Sequence, residues 1–125
     1  MRKFFILLIF SLFFVNMNAQ EISSVGRSGG FYNIYESSGK KITSITTSAG
    51  VLVGYSSKMM ILKNGSWYQI YNSQGKKVKS LSVSYVGEII NVVGNNFISK
   101  NGAWIYTWDI NGNKINTDSA SKYGY

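Results

Sequence analysis

The residues with the most chemistry to offer are aromatic and basic, and they recur at a fixed spacing. Read from Arg27 the chain runs RSGGFYNIYESSGKKITSI, from Lys63 KNGSWYQIYNSQGKKVKSL, and from Lys100 KNGAWIYTWDINGNKINTD. The aromatic anchors Phe31, Trp67 and Trp104 are offset by 36 and 37 residues. Lys40-Lys41, Lys76-Lys77 and Lys114 return at one repeat position, and Arg27, Lys63 and Lys100 at another. Exposed rings at Trp67, Trp104 and Trp108 would make platforms for sugar rings or bases. Buried, each would supply about 150–250 Å² to a core. A small domain without disulfides needs such burial, so Trp67 and Trp104 are expected to be substantially buried at equivalent places. Lysine rows attract polyanions such as acidic polysaccharide, lipopolysaccharide or extracellular DNA. Beside turns they also keep sheet edges soluble and unpaired, the plainer role. The candidate ligand-binding set is Trp67, Trp104, Trp108, Lys40, Lys41, Lys76, Lys77 and Lys114.

Groups suited to catalysis are scarce. Histidine and cysteine are absent, which removes the commonest general base, the thiol nucleophile and the usual zinc ligands. The carboxylates are Glu21, Glu36, Glu88, Asp109 and Asp118. Glu36 and Asp109 hold equivalent repeat positions, so a repeating fold separates them. A glycosidase pair would need two carboxyl groups within roughly 5–9.5 Å. The stretch Asp109–Asn116, DINGNKIN, has the outline of a calcium loop but reads as a plain hairpin turn. No catalytic residue, metal ligand or cofactor is expected.

These side chains must be positioned by strands. Each repeat reads as four: an aromatic strand (Phe31–Glu36, Trp67–Asn72, Trp104–Asp109), then a glycine turn at Gly39, Gly75 or Gly112. A second strand starts at the lysines (Lys41–Ser48, Lys77–Ser84, Lys114–Ala120). A third follows a glycine (Val51–Tyr55, Glu88–Val93). The fourth (Met59–Leu62, Asn96–Ser99) ends in Asn64-Gly65 or Asn101-Gly102, a strong hairpin signal. Alternation places Trp104, Tyr106 and Trp108 on one face. Strands such as EIINVV and VLV are apolar on both faces, as sheets packed between other sheets would be. No proline interrupts any ladder.

The first residues read as a secretory signal peptide. Arg2 and Lys3 precede a 12-residue apolar run, Phe4 to Val15, broken only by Ser11 and followed by NMNAQ. The run is too short to span a bilayer, which takes about 20 residues. Its ending resembles signal peptides of Bacteroidota-type bacteria. Cleavage after Ala19 would leave a single exported domain at residues 20–125, in the periplasm or outside the cell, with repeats near 27–62, 63–99 and 100–125. Removing Arg2 and Lys3 leaves 11 basic against 5 acidic residues, a net +6.

The stretch NNFISKNGAWIYTWDINGNKI resembles the junction between WD-repeat propeller blades. A strand ends in an Asn-Gly turn, and the next ends in the aromatic-acidic pair Trp108-Asp109, matched by Tyr71-Asn72 and Tyr35-Glu36. The resemblance implies a fold and carries over no functional residues. The expected fold class is all-β, built of tandem four-stranded antiparallel β-meander repeats like propeller blades. A closed three-fold β-prism or β-trefoil is the alternative. Because the chain starts on a lone fourth strand, Ile22–Arg27 is expected to pair with the last sheet, in the same chain or in a neighbouring copy. The expected function is a non-catalytic exported binding module for a glycan or polyanionic surface. The other class is a structural protein that assembles as a homo-oligomer, and neither needs a membrane span.

Overall fold

The computed structural model describes residues 20–125, so the signal peptide expected at residues 1–19 lies outside the described residues. Among the described residues, eleven strands form three separate antiparallel sheets. The first holds β1 (Ser24–Ser28), β2 (Phe31–Tyr35) and β3 (Lys41–Thr46). The middle sheet holds β4 (Val51–Tyr55), β5 (Met59–Asn64), β6 (Trp67–Asn72) and β7 (Lys77–Ser82). The third holds β8 (Glu88–Val93), β9 (Asn96–Asn101), β10 (Trp104–Asp109) and β11 (Lys114–Ser119). Each sheet is a meander in chain order, and no ladder joins one sheet to another. The all-β repeat architecture read from the sequence is therefore present, with strand limits within two residues of those expected.

The grouping of strands corrects the closure expectation. Ser24–Ser28 pairs with β2, next to it in sequence, and not with the last sheet. The last sheet is already complete because β8 pairs with β9, as β4 does with β5. Local hairpins close at small entropic cost, whereas a ladder between the chain's two ends would close a long loop. The incomplete sheet is thus the first, which has three strands. One short helix, α1 (Val83–Val86), was not foreseen. It connects the middle sheet to the third, and a 3-10 turn at Thr47–Ala49 makes the equivalent connection from the first sheet to the middle one.

The middle sheet is buried on both faces. In β5, Met59, Met60, Ile61 and Leu62 are all inaccessible to water. Met60 and Leu62 pack with Tyr32 and Ile34 of the first sheet. Met59 and Ile61 pack with Phe97 and Trp108 of the third. The period-2 alternation of a strand sends neighbouring residues into two different cores. β4 and β8 lie against one another, and a Cβ added at Gly54 of β4 would sit 2.9 Å from Val92 Cγ2 of β8.

The connections are clasped by tyrosines. Tyr32 donates its hydroxyl proton to Gly50 O at 2.8 Å, and Tyr68 donates to Gly87 O at 2.7 Å. Gly87 has φ 90°, and a Cβ there would meet Lys100 O at 2.4 Å, so both the turn and the close approach require glycine.

Candidate functional site

The row of aromatic anchors lies at one end of the three sheets. Register places Phe31 opposite Ser28 and Thr46, Trp67 opposite Asn64 and Ser82, and Trp104 opposite Asn101 and Ser119. Each anchor is thus the first residue of its strand, beside the tight turn that precedes it. The structure corrects the burial expected there: Trp67 and Trp104 are each 50% exposed and Phe31 is 45% exposed. Their exposure follows from their place at the strand end, because further along the same faces Tyr71, Tyr106 and Trp108 pack into the cores.

Two clefts open beside the tryptophans. One, about 370 Å³, is lined by Lys63, Gly65, Trp67, Ser82, Val83 and Ser84, with Ser66. The other, about 300 Å³, is lined by Lys100, Gly102, Trp104, Ser119, Ala120 and Ser121, with Ala103 and Tyr125. Shifting the first set by one repeat of 37 residues gives the second, residue for residue. Each therefore combines one cation, one half-exposed indole and a pair of hydroxyls, with no carboxylate in the lining.

The hydroxyl pair was missed by sequence reasoning, although its signal is present. Thr46-Thr47-Ser48, Ser82-Val83-Ser84 and Ser119-Ala120-Ser121 repeat the pattern hydroxyl, any residue, serine. Thr46 and Ser48 hydroxyls lie 3.0 Å apart, and those of Ser119 and Ser121 lie 2.7 Å apart. Ser82 instead caps α1, accepting from Tyr85 N at 3.2 Å.

The other expected site residues fall elsewhere. Trp108 is fully buried: its Nε1–H donates to Ser99 Oγ at 2.9 Å and its ring stacks on Phe97 at 5.9 Å between centroids. Its face is occupied by the core and offers no platform. Lys40, Lys41, Lys76 and Lys77 lie at the opposite strand ends from Phe31 and Trp67, since Lys41 pairs with Tyr35 and Lys77 with Tyr71. Lys114 Nζ sits 3.8 Å from the Tyr106 ring centroid and 5.2 Å from that of Tyr85. Lys114 Nζ also lies 5.4 Å from the Trp108 ring centroid, so the structure brings Lys114 to Trp108 but brings none of these lysines to Trp67 or Trp104. The cations it does bring are Lys63 and Lys100, with Arg27 at the equivalent position.

The turns use their acidic and amide groups internally. Asp109 Oδ1 accepts from Asn111 N and Asn113 N, both at 2.9 Å. Asn72 Oδ1 accepts from Gln74 N and Lys76 N, both at 3.0 Å. The DINGNKIN stretch is thus one of three equivalent hairpin turns, with Gly39, Gly75 and Gly112 donating to Glu36, Asn72 and Asp109 O. Burial raises the Tyr68 phenol above its usual pKa, opposed by a hydrogen bond with the Ile89 backbone, and burial also raises Tyr71. The Lys122 ammonium holds the Asp118 carboxyl below the usual range, helped by Asn116 and Tyr123.

No protein-family model and no curated protein matches the chain. Among solved structures it is similar to "KlHsv2 with loop 6CD replaced by a Gly-Ser linker", at 12% identity and a TM-score of 0.52. The match covers 78% of this chain and 34% of that chain. At this identity the likeness is one of fold, an all-β arrangement of antiparallel sheets.

Proposed function

We propose that the protein is a non-catalytic, exported binding module that holds a glycan or polyanionic surface in the clefts beside Trp67 and Trp104. The three sheets act as an arc of propeller-type blades that presents those clefts on one rim. One observation carries this function: a half-exposed indole, a cation and a hydroxyl pair recur together one repeat apart. Exposing two tryptophans costs a small domain burial it could otherwise use. An apolar ring face beside hydroxyl and ammonium donors suits a ring that is apolar on its face and polar at its edge.

The carboxylates are placed for structure. Glu21 pairs with Lys58, Glu36 accepts from Ser38, Asp109 organises its turn, and Asp118 holds Lys122 and Tyr123. Glu88 sits at the start of β8, and no carboxylate lines either cleft. A glycan array probed with the protein and with Trp67→Ala/Trp104→Ala tests the function. Binding that the double substitution abolishes supports it. Unchanged binding by the doubly substituted protein contradicts it, and so does hydrolysis of a bound glycan that Asp109→Asn stops.

Assembly with further copies is the second reading, and the outer edge of β1 favours it. Among the described residues β1 has a ladder partner only in β2, and its sequence SVGRS carries a single charge, Arg27, and no lysine. Light scattering separates the two: a concentration-independent monomer that still binds glycan leaves binding alone.

A further inference from the structure

Resting on the clefts as binding sites, we infer that the ligand is a linear acidic polysaccharide that runs along the rim and engages the Trp67 and Trp104 clefts together. The two linings correspond position by position: Lys63 with Lys100, Gly65 with Gly102, Trp67 with Trp104, Ser82 with Ser119 and Ser84 with Ser121. Two like subsites at one repeat's separation fit a ligand that itself repeats. Packed sheets are spaced about 10 Å apart, so neighbouring clefts are within reach of a short run of sugar units. Arg27, Phe31, Thr46 and Ser48 continue the row at the same register in the first sheet.

The cations favour an acidic ligand. Lysines on β3, β7 and β11, strands with only one neighbour, guard sheet edges. Lys63 on β5 and Lys100 on β9 have a paired strand on each side, so edge protection does not account for them; Lys100 has Glu88 across the ladder, whereas Lys63 has Val51 and Tyr68. Each lines the same cleft as an indole, with no carboxylate in the lining, and Lys100 Nζ lies 5.9 Å from the centroid of the Tyr125 ring in its cleft. One positive charge per cleft matches one negative charge per sugar unit or short group of units. Binding to a polynucleotide draws most of its strength from many cations on phosphate. Here each cleft supplies a single cation and several uncharged hydrogen-bonding groups, which suits a hydroxylated ring better.

The test uses oligogalacturonates of defined length, from the dimer to the dodecamer, titrated calorimetrically into the purified protein. Linking two subsites through one ligand raises affinity by about 10²–10⁴ with no new kind of contact. The dodecamer should bind at least about tenfold tighter than the dimer. Trp67→Ala and Trp104→Ala should each return the dodecamer to dimer-like affinity in a protein that still unfolds cooperatively, its melting temperature lowered only by the amount expected for a half-buried side chain. Lys63→Ala and Lys100→Ala should weaken binding and flatten its salt dependence. Equal affinity for dimer and dodecamer, still lost in the tryptophan variants, would overturn bivalent engagement while leaving the clefts as binding sites. Trp-dependent binding of neutral cello-oligosaccharides in preference to oligogalacturonate would overturn the acidic class. Tighter binding to oligothymidylate than to any sugar would overturn the polysaccharide. Failure of all three probes to bind would overturn both this inference and the binding function beneath it.

Discussion

β5 and β9 hold the same place in consecutive sheets, yet their surroundings differ. All four residues Met59–Leu62 are buried in β5, whereas in β9 only Phe97 and Ser99 are, both on the side of the middle sheet. The difference extends across the third sheet's outer face. Ile105 stands where the middle sheet has Tyr68, Thr107 replaces Ile70, and Asp118 replaces Leu81. The first sheet changes in the same sense on its own outer face, with Ser24 and Gly26 where the middle sheet has Met60 and Leu62. A repeat covered on both sides can be apolar on both faces, and one at the end of a stack needs a polar outer face. The tyrosine clasp follows the same logic. Tyr32 and Tyr68 bind the connections that lead to a next sheet, and at the third equivalent position Ile105 has no hydroxyl to do so.

The largest expected effect contrasts two tryptophans of one strand. Trp108→Ala should cost about 3–5 kcal/mol by denaturant unfolding, as for a fully buried large aromatic. Trp104→Ala should cost about 1–2 kcal/mol, since half of that residue stays in water. Similar losses for both would erase the distinction between core and rim. Next comes Gly87→Ala, which meets Lys100 O and imposes a strained backbone costing about 1–3 kcal/mol before any clash. Gly65→Ala, with open space around it, should be markedly milder. Tyr68→Phe follows. It orphans the Gly87 carbonyl and should cost about 1–3 kcal/mol, with slower protection lost first in Val83–Gly87 by amide exchange.

The smallest effect is acidic. The Asp118 carboxyl is held below its ordinary value, so its contribution is present above that value, near pH 3.9, and fades as pH falls through the folded one. Amide exchange in Ala120–Tyr123 should quicken there while the middle sheet keeps its protection. Simultaneous loosening of β5 would mean that the terminal turn and the middle core are not separable.

Much of this was legible in the sequence. Strand positions follow from alternation and from the glycine turns, and the sandwiched middle sheet follows from runs apolar on both faces. Which four strands share a sheet was not legible. The Asn-Gly hairpins and the segments ending in Gly50 and Gly87 both look like turns. Only the clasps and the packing of β4 on β8 show that the latter cross between sheets. Nor could alternation tell that the first ring of each aromatic strand is half exposed, because Trp67 shares its face with Tyr71 and Trp104 shares its face with Trp108, which pack into the cores. The hydroxyl pattern beside the tryptophans was open to view in the repeat alignment, but serine near a turn draws little notice.

The central claim is that Trp67 and Trp104 meet a ligand while Trp108 does not. With three tryptophans in the chain, three indole N–H signals can be followed by ¹⁵N-edited NMR during titration with oligogalacturonate dodecamer. Trp67 and Trp104 should both shift and saturate together, while Trp108, bonded to Ser99 inside the core, stays in place. Signals from Trp67 and Trp104 that remain still at saturating ligand, or a shift confined to Trp108, would contradict it.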